Sequence, residues 1–297
     1  MKKIPLILAL LTLLSLLGGC AQPAPAAQVA ATTLPIYEFT ARLCQGTDIQ
    51  VTRLVTESVS CLHDYTLQVS QIRAIEAADI VVISGSGLEE FLDDALEGAD
   101  TIIDASEGVE LICREHDHED HEEHDAHEGH HHENDPHIWL SPIDAQAMAR
   151  NICAGLTRQY PQHAETFASN LSGLLADLEA LQAYGEAQLS DLSCRELITF
   201  HDGFAYLAQA YDLTILEALE EEAGSEAPAS ELIALIGMVE DHGLPAIFTE
   251  ANGSTAAAGV IAAETGVGIY TLDMAMAGDS YFDAMYHNID TLKEALG

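Results

Sequence analysis

Short apolar runs alternate with amphipathic helical segments along most of the chain, and this alternation constrains the fold more than any other feature. A first series starts at Gln28 and includes the continuous apolar run DIVVISGSG, which is typical of a strand buried on both faces. A second series starts with RELITF and ends in a helix predicted to begin at Asp279. Alternating β and α segments predict mostly parallel sheets covered by helices.

Two further segments of the first series carry local predictions. The apolar run VELIC (109–113) is predicted to be a strand, and LEEFLDDALEG (88–98) is predicted to be a single helix. Ser141 and Pro142 stand where an N-cap and a first helical position are expected, so a helix is predicted to begin there.

A segment of nearly thirty residues, HAETFASNLSGLLADLEALQAYGEAQLSDL, separates the two series. Its apolar residues recur at helical spacing, and as one helix it would span about 45 Å. The predicted fold is therefore α/β, with an N-terminal lobe over 29–160, a connecting helix over 161–192 and a C-terminal lobe over 193–297. Ligands of open α/β sheets bind beyond the carboxyl ends of the strands, so the cleft between the lobes is the predicted site.

The N-terminal sequence is typical of an export signal. Residues 1–20 have a basic start, an apolar run and the ending Leu-Gly-Gly-Cys, which resembles a bacterial lipoprotein signal with Cys20 as the lipidated residue. Ordinary signal cleavage beside an incidental cysteine is the alternative. Residues 21–28 are rich in Pro and Ala and are interpreted as a tether. These features predict an extracytoplasmic protein anchored to the cell membrane by lipid alone.

Composition narrows the possible partners. The formal net charge is −39 with only 10 Lys and Arg residues, which disfavours nucleic acid and anionic lipid as ligands and is compatible with cations. An exported location permits disulfides, and the five cysteines after Cys20 leave at least one thiol unpaired. Connectivity cannot be read from spacing; pairing within each half, Cys44–Cys61 and Cys153–Cys194, is our expectation.

Four possible metal ligands lie in four separate loops at predicted strand or helix ends: His63, His137, His201 and Asp279. Three imidazoles and one carboxylate suit a divalent transition metal, zinc first, and disfavour Ca²⁺ and Mg²⁺. No HExxH motif falls on a predicted helix, and the chain has no GxSxG elbow or Walker loop, so we do not expect an enzyme. The remaining isolated histidines, at 163, 242 and 287, are interpreted as structural.

At these residues the sequence resembles the solute-binding lipoproteins of zinc and manganese ABC importers. The resemblance covers nearly all of 28–297 and rests on four motifs in order: HDYTLQVSQIRAIEAADIVVISGSGLEEF, DPHIWLSP, TFHDGFAYLAQAYDL and GDSYFDAMYHNIDTL. It implies two α/β lobes bridged by a long helix, with the metal between them, bound by the same four residues. The sequence departs from the family at the first ligand, where SCLHDY replaces the usual Asp-Pro-His element. A histidine at position 201, where manganese members often carry Glu, favours zinc.

The resemblance also implies partners and an accessory segment. The partners are a membrane permease and its ATPase, and the protein is expected to act as a monomer. Within the acidic loop 113–136, the run from His116 to His132 has no apolar residue beyond one Ala, so it is expected to be mobile and to bind metal weakly. Its histidines are His116, His118, His121, His124, His127, His130, His131 and His132. The alternatives left open are a manganese or iron importer component, an exported zinc hydrolase, and an adhesin or metal buffer in which this run is the functional element.

Overall fold

The structure is a computed structural model that describes residues 28–57, 62, 65–113, 134–219, 228–251 and 253–297. Within these residues the chain forms two four-stranded sheets in which every paired strand is parallel. A long helix lies between them, so the predicted fold class is confirmed. The export signal, Cys20, residues 21–27, His63 and the histidines from His116 to His132 lie outside the described residues.

The first lobe contains strands β1 to β4, in the spatial order β2-β1-β3-β4. They span Gln28–Ala31, Gln50–Arg53, Ile80–Ile83 and Ile102–Asp104. Three helices connect them: α1 (Leu34–Leu43), α2 (Val69–Glu76) and α3 (Asp93–Leu96). Gln28, assigned to the tether from sequence, is the first residue of β1. The central strands β1 and β3 are almost fully buried, as expected for a parallel sheet with helices on both faces.

The second lobe repeats the arrangement with strands β5 to β8, in the order β6-β5-β7-β8. They span Glu196–Thr199, Thr214–Ala218, Ala246–Glu250 and Gly268–Leu272. Its helices are α6 (Ala205–Ala210), α7 (Ala229–His242), α8 (Ala256–Thr265) and α9 (Tyr281–Leu296). In each lobe the first strand lies beside the third, so the connections on either side of that pair run in opposite directions. This switch point is where ligands of such sheets bind.

Two consecutive helices join the lobes, α4 (Pro142–Gln159) and α5 (Ala164–Gln188). Helix α4 begins as predicted, because Ser141 Oγ accepts a hydrogen bond from Asp144 N at 3.3 Å and Pro142 follows the cap. Helix α5 has 25 residues, or about 37 Å, and packs against α1, α4 and α9. Its buried leucines belong to a core that extends into both lobes.

Three local predictions were wrong, and each failed because side chains bind backbone groups. VELIC is not a strand: Ile112 N donates to Tyr206 Oη of the second lobe at 3.1 Å, and only Cys113 makes an isolated bridge, with Asn134. LEEFLDDALEG is a short 3₁₀ turn followed by the four-residue α3. The last helix begins at Tyr281 rather than Asp279, since Ser280 Oγ accepts from the N–H of Asp283 at 3.2 Å and serves as the cap.

The expected cysteine pairing was also wrong. Cys44, Cys113, Cys153 and Cys194 are all free thiols, and Cys61 lies outside the described residues. Cys153 is buried on α4, whereas Cys194 donates to the carbonyl of Glu196 at 3.4 Å at the start of the second lobe. Burial raises the pKa of the Cys44 thiol to about 12 and also raises that of Cys153, so both behave as small core residues.

None of the helices in the described part of the chain combines the length and the apolar character needed to span a bilayer.

Candidate metal centre

Two of the four predicted ligands face each other between the lobes. His201 lies two residues beyond the end of β5, at the switch point of the second sheet. His137 directly precedes the 3₁₀ turn Ile138–Leu140 that leads into α4, and it is only 2% exposed. Their ring centroids are 5.4 Å apart, with the ring planes at 79°. The structure therefore brings together two imidazoles from different lobes.

A buried aspartate fixes the orientation of His137. Asp135 Oδ1 accepts a hydrogen bond from His137 N at 2.9 Å and lies 2.7 Å from His137 Nδ1. An ionised carboxylate can only accept, so Nδ1 carries the proton and Nε2 is the nitrogen suited to a metal. A carboxylate behind the distal nitrogen is the usual support for a metal-binding histidine.

Glu250 has the corresponding position behind His201. It is the last residue of β7, is 5% exposed, and its Oε2 lies 3.5 Å from His201 Nδ1. This distance is longer than that of a normal hydrogen bond. Each histidine of the pair thus has a buried carboxylate on the Nδ1 side of its ring, and the two carboxylates come from different lobes.

Gly203 allows the two rings to approach each other. A Cβ atom at this position would lie 2.7 Å from His201 Cδ2 and 2.9 Å from His137 Cε1. Both distances are shorter than real Cβ contacts, so any larger residue would have to displace a ring or the neighbouring Met274. The glycine therefore leaves the space that the close approach of the two rings occupies.

Asp279 is not brought into contact with the histidine pair. It is exposed, in the segment before α9, and it lies near Arg53. Burial lowers the pKa of Arg53, and the charge of Asp279 opposes that effect. Among the described residues, no group of three or more His, Cys, Asp or Glu side chains is arranged to hold a metal. His63, the remaining predicted ligand, lies outside these residues.

Sequence reasoning identified the imidazoles and missed the residues that position them. Asp135 is the first residue of DPHIWLSP, and a carboxylate two residues before a candidate ligand histidine is a signal that could have found it. Gly203 follows His201 by two residues, and its small size at a strand end was a weaker signal. Glu250 had no local signal, because its partner is 49 residues away in sequence and only the sheet brings the ends of β5 and β7 together.

Comparison with known proteins agrees with this architecture. The ZnuA family, described as zinc-uptake complex component A periplasmic, matches residues 29–295. The high-affinity zinc uptake system protein ZnuA of Bacillus subtilis (strain 168) is 32% identical over 281 residues, which cover 90% of this chain and 87% of that protein. The zinc-binding lipoprotein AdcA of Streptococcus pneumoniae is 31% identical over 310 residues, and this chain spans only 61% of its length.

Solved structures give the same result. A crystal structure of ZnuA has a TM-score of 0.76 at 28% identity and covers 92% of this chain and 100% of its own. The Zn(II)-bound ZnuA-like domain of Streptococcus pneumoniae AdcA has a TM-score of 0.75 at 25% identity, covering 91% and 98%. With the family match extending over both lobes, the chain belongs to the ZnuA family.

Proposed function

We propose that this protein captures Zn²⁺ outside the cytoplasm and delivers it to the permease of an ABC importer, which is driven by its own ATPase. The observation that carries the proposal is the pair His137 and His201, each backed by a buried carboxylate, in the cleft between the lobes. Relatives named for zinc uptake or zinc binding support the choice of metal. As a solute-binding component the protein has no catalytic role.

The proposed ligand set is His63, His137, His201 and Asp279. Three imidazoles and a carboxylate complete a tetrahedral zinc site, for which the His137–His201 pair forms the preorganised half. Asp279 would join through a reorientation of its side chain on the turn that carries it. His63, between β2 and α2 in sequence, would join at the position of the family's first ligand, where SCLHDY replaces the usual Asp-Pro-His element. Lipidation at Cys20 would keep the protein at the membrane that holds its permease.

The histidines between His116 and His132 are proposed as an accessory that binds zinc weakly. Tight binding requires ligands whose positions are fixed before the metal arrives, because each group ordered on binding lowers the affinity. Asp135 orients His137 in this way, through its contact with Nδ1 at 2.7 Å. Full-length protein should therefore bind one zinc tightly and additional zinc weakly.

A chelator competition titration tests the proposal. Deletion of residues 116–132 should leave one tight zinc, whereas His137→Ala should abolish the tight site and leave the weak binding. His242→Ala is the matched control, because His242 also pairs with a carboxylate, Glu196 at 3.0 Å, but on the surface of the second lobe. Titration with Mn²⁺ in the same assay should show weaker binding than Zn²⁺. Loss of the tight site on deletion, with His137→Ala unchanged, would place the metal in the loop and refute the proposal.

A further inference from the structure

The segment that carries Asp279 follows a strand of the second lobe but is held by residues of the first. At its start, Trp139 Nε1 donates to the carbonyl of Met274 at 2.7 Å. At its end, Tyr281 N donates to Glu38 Oε2 on α1 at 2.7 Å, and Tyr281 Oη donates to the carbonyl of Trp139 at 2.8 Å. Both ends of 274–281 are therefore fixed to the lobe that carries His137.

Arg53, the last residue of β2, binds the middle of this segment. Its Nη1 donates to the carbonyl of Gly278 at 2.8 Å and its Nη2 to the carbonyl of Met276 at 3.2 Å. Its Nε donates to the carbonyl of Val55 at 2.6 Å, where the chain leaves the sheet toward position 63. One guanidinium thus joins the base of one predicted ligand loop to the residues directly before Asp279.

We propose that Arg53 is a positioning residue of the metal site, which fixes the 276–279 turn against the first lobe and so limits where Asp279 can move. The inference rests on the proposed function, because Asp279 is a metal ligand only under that proposal. A guanidinium is suited to this role, since its donors form a rigid fork that can bind several carbonyls at once. A turn already held by two hydrogen bonds loses less conformational entropy when its carboxylate binds a metal.

A purely electrostatic role makes the opposite prediction. A positive charge near the cleft repels an incoming cation, so its removal would strengthen zinc binding if charge alone mattered. Lysine at position 53 would keep that charge and lose the fork, and methionine would lose both. Under the positioning role both substitutions weaken binding, and under the electrostatic role methionine strengthens it and lysine leaves it unchanged.

The experiment measures zinc affinity of the full chain by chelator competition for Arg53→Lys and Arg53→Met. We expect each to weaken the tight site about tenfold. In an Asp279→Ala background, where the tight site is already weaker, neither should weaken it further. Arg42→Met is the matched control. The side chain of Arg42 also extends from the first lobe to other elements, where it pairs with Asp177 on α5 and lies 5.1 Å from the centroid of the Phe282 ring. It should leave zinc affinity unchanged.

Several results would overturn the inference. These are unchanged or increased affinity in both Arg53 variants, an equal loss in the Asp279→Ala background, or an equal loss in Arg42→Met. Wild-type affinity in Asp279→Ala would also overturn it, because Arg53 would then have no ligand to position. If His137→Ala retains tight zinc as well, the proposed function fails with it. Thermal unfolding of each metal-free variant shows whether its substitution leaves the fold intact.

Discussion

The two lobes have the same strand order but different chemistry at the same place. In the second lobe, the switch point between β5 and β7 holds His201 and Glu250, with Nδ1 and Oε2 at 3.5 Å. In the first lobe, the equivalent point between β1 and β3 holds Thr32 and Glu89, and Thr32 Oγ1 donates to Glu89 Oε1 at 2.7 Å. Each crevice thus pairs a residue that follows the first strand with a glutamate at or after the end of the third.

The two crevices differ in the groups that contact the glutamate carboxylate. Glu89 also accepts hydrogen bonds from Ser84 N at 2.7 Å and Gly85 N at 3.0 Å, so the loop after β3 wraps around its carboxylate. Glu250 instead faces an imidazole that can bind a metal. The same backbone topology therefore supports a closed structural network in one lobe and half of a candidate metal site in the other. The side chain that faces each glutamate, Thr32 one residue after β1 or His201 two residues after β5, decides which.

The largest expected effect is a difference in zinc affinity between substitutions of His201 and of its counterpart Thr32. His201→Ala removes a ligand of the proposed site and should weaken tight zinc binding on the order of 1,000-fold, more than the roughly 10–100-fold typical of a residue that only supports a ligand. Thr32→Val removes the hydroxyl bonded to Glu89 and should lower stability while leaving zinc affinity unchanged. Chelator competition and urea unfolding on both variants measure the contrast. A loss of affinity in Thr32→Val comparable to that in His201→Ala would break the comparison.

The second prediction concerns the pH dependence of the first lobe. Burial raises the pKa of Glu89 to about 7, despite hydrogen bonds from Thr32, Ser84 and Gly85 that lower it. The folded state then binds this proton more tightly than the unfolded chain, so the stabilisation is complete below the ordinary pKa of 4.5 and is lost as pH rises through about 7. The shift corresponds to about 3 kcal/mol in the free energy of unfolding.

Urea unfolding of metal-free protein between pH 4.5 and pH 8 measures this loss. Glu89→Gln should lack the Glu89 contribution, so its stability relative to the wild type should rise over that range. A chelator is needed throughout, because protons compete with metal for imidazole and would add a second pH dependence. Parallel pH profiles of wild type and variant would show that Glu89 does not titrate in this window.

The third prediction concerns the glutamate of the second lobe. Glu250→Gln keeps the shape of the side chain but replaces the carboxylate behind His201 with an amide. Zinc affinity should fall by about 10–100-fold, as for other residues that orient a ligand histidine. Glu89→Gln, the same substitution at the equivalent point of the first lobe, should leave zinc affinity unchanged at neutral pH. Equal affinities of the two variants, measured with the same chelator, would mean that Glu250 does not support His201.

The sequence alone predicted most of the architecture, because hydrophobic periodicity depends on residues close together in the chain. It predicted the two parallel-sheet lobes, the long helix and the position of His201 at a strand end. It failed where backbone groups bind side chains from distant elements, as when Tyr206 binds the N–H of Ile112 in the segment taken for a strand. At the loop after β3 it failed for a local reason instead, because the Glu89 side chain turns back to bind Ser84 N and Gly85 N, and the α-helix begins only at Asp93.

The same limit applies to the candidate site. The motifs named His137 and His201, and the structure placed them 5.4 Å apart between ring centroids. They could not reveal Glu250 or Arg53, whose roles depend on strand order and on a contact between residues more than 200 positions apart. Residue type and local spacing predicted the candidate ligands and could have found Asp135, whereas Glu250 and Arg53 are identified only by the fold.

The smallest expected effect compares two glycines, one at each switch point. A Cβ at Gly203 would press on both histidine rings and on Met274 Cε at 2.7 Å, and the end of a methionine side chain can move aside. Gly203→Ala should therefore fold and should weaken zinc binding about fivefold, through displacement of the rings from their best geometry.

Gly85 is its counterpart in the first lobe, with φ of +88° and a Cβ position only 1.9 Å from Asp104 Oδ1. Gly85→Ala should lower the thermal unfolding temperature more than Gly203→Ala does, because both the backbone conformation and the available space exclude a side chain. Its zinc affinity, measured at a temperature where the variant is folded, should match the wild type. A weaker zinc site in Gly85→Ala than in Gly203→Ala would show that the first crevice contributes to metal binding after all.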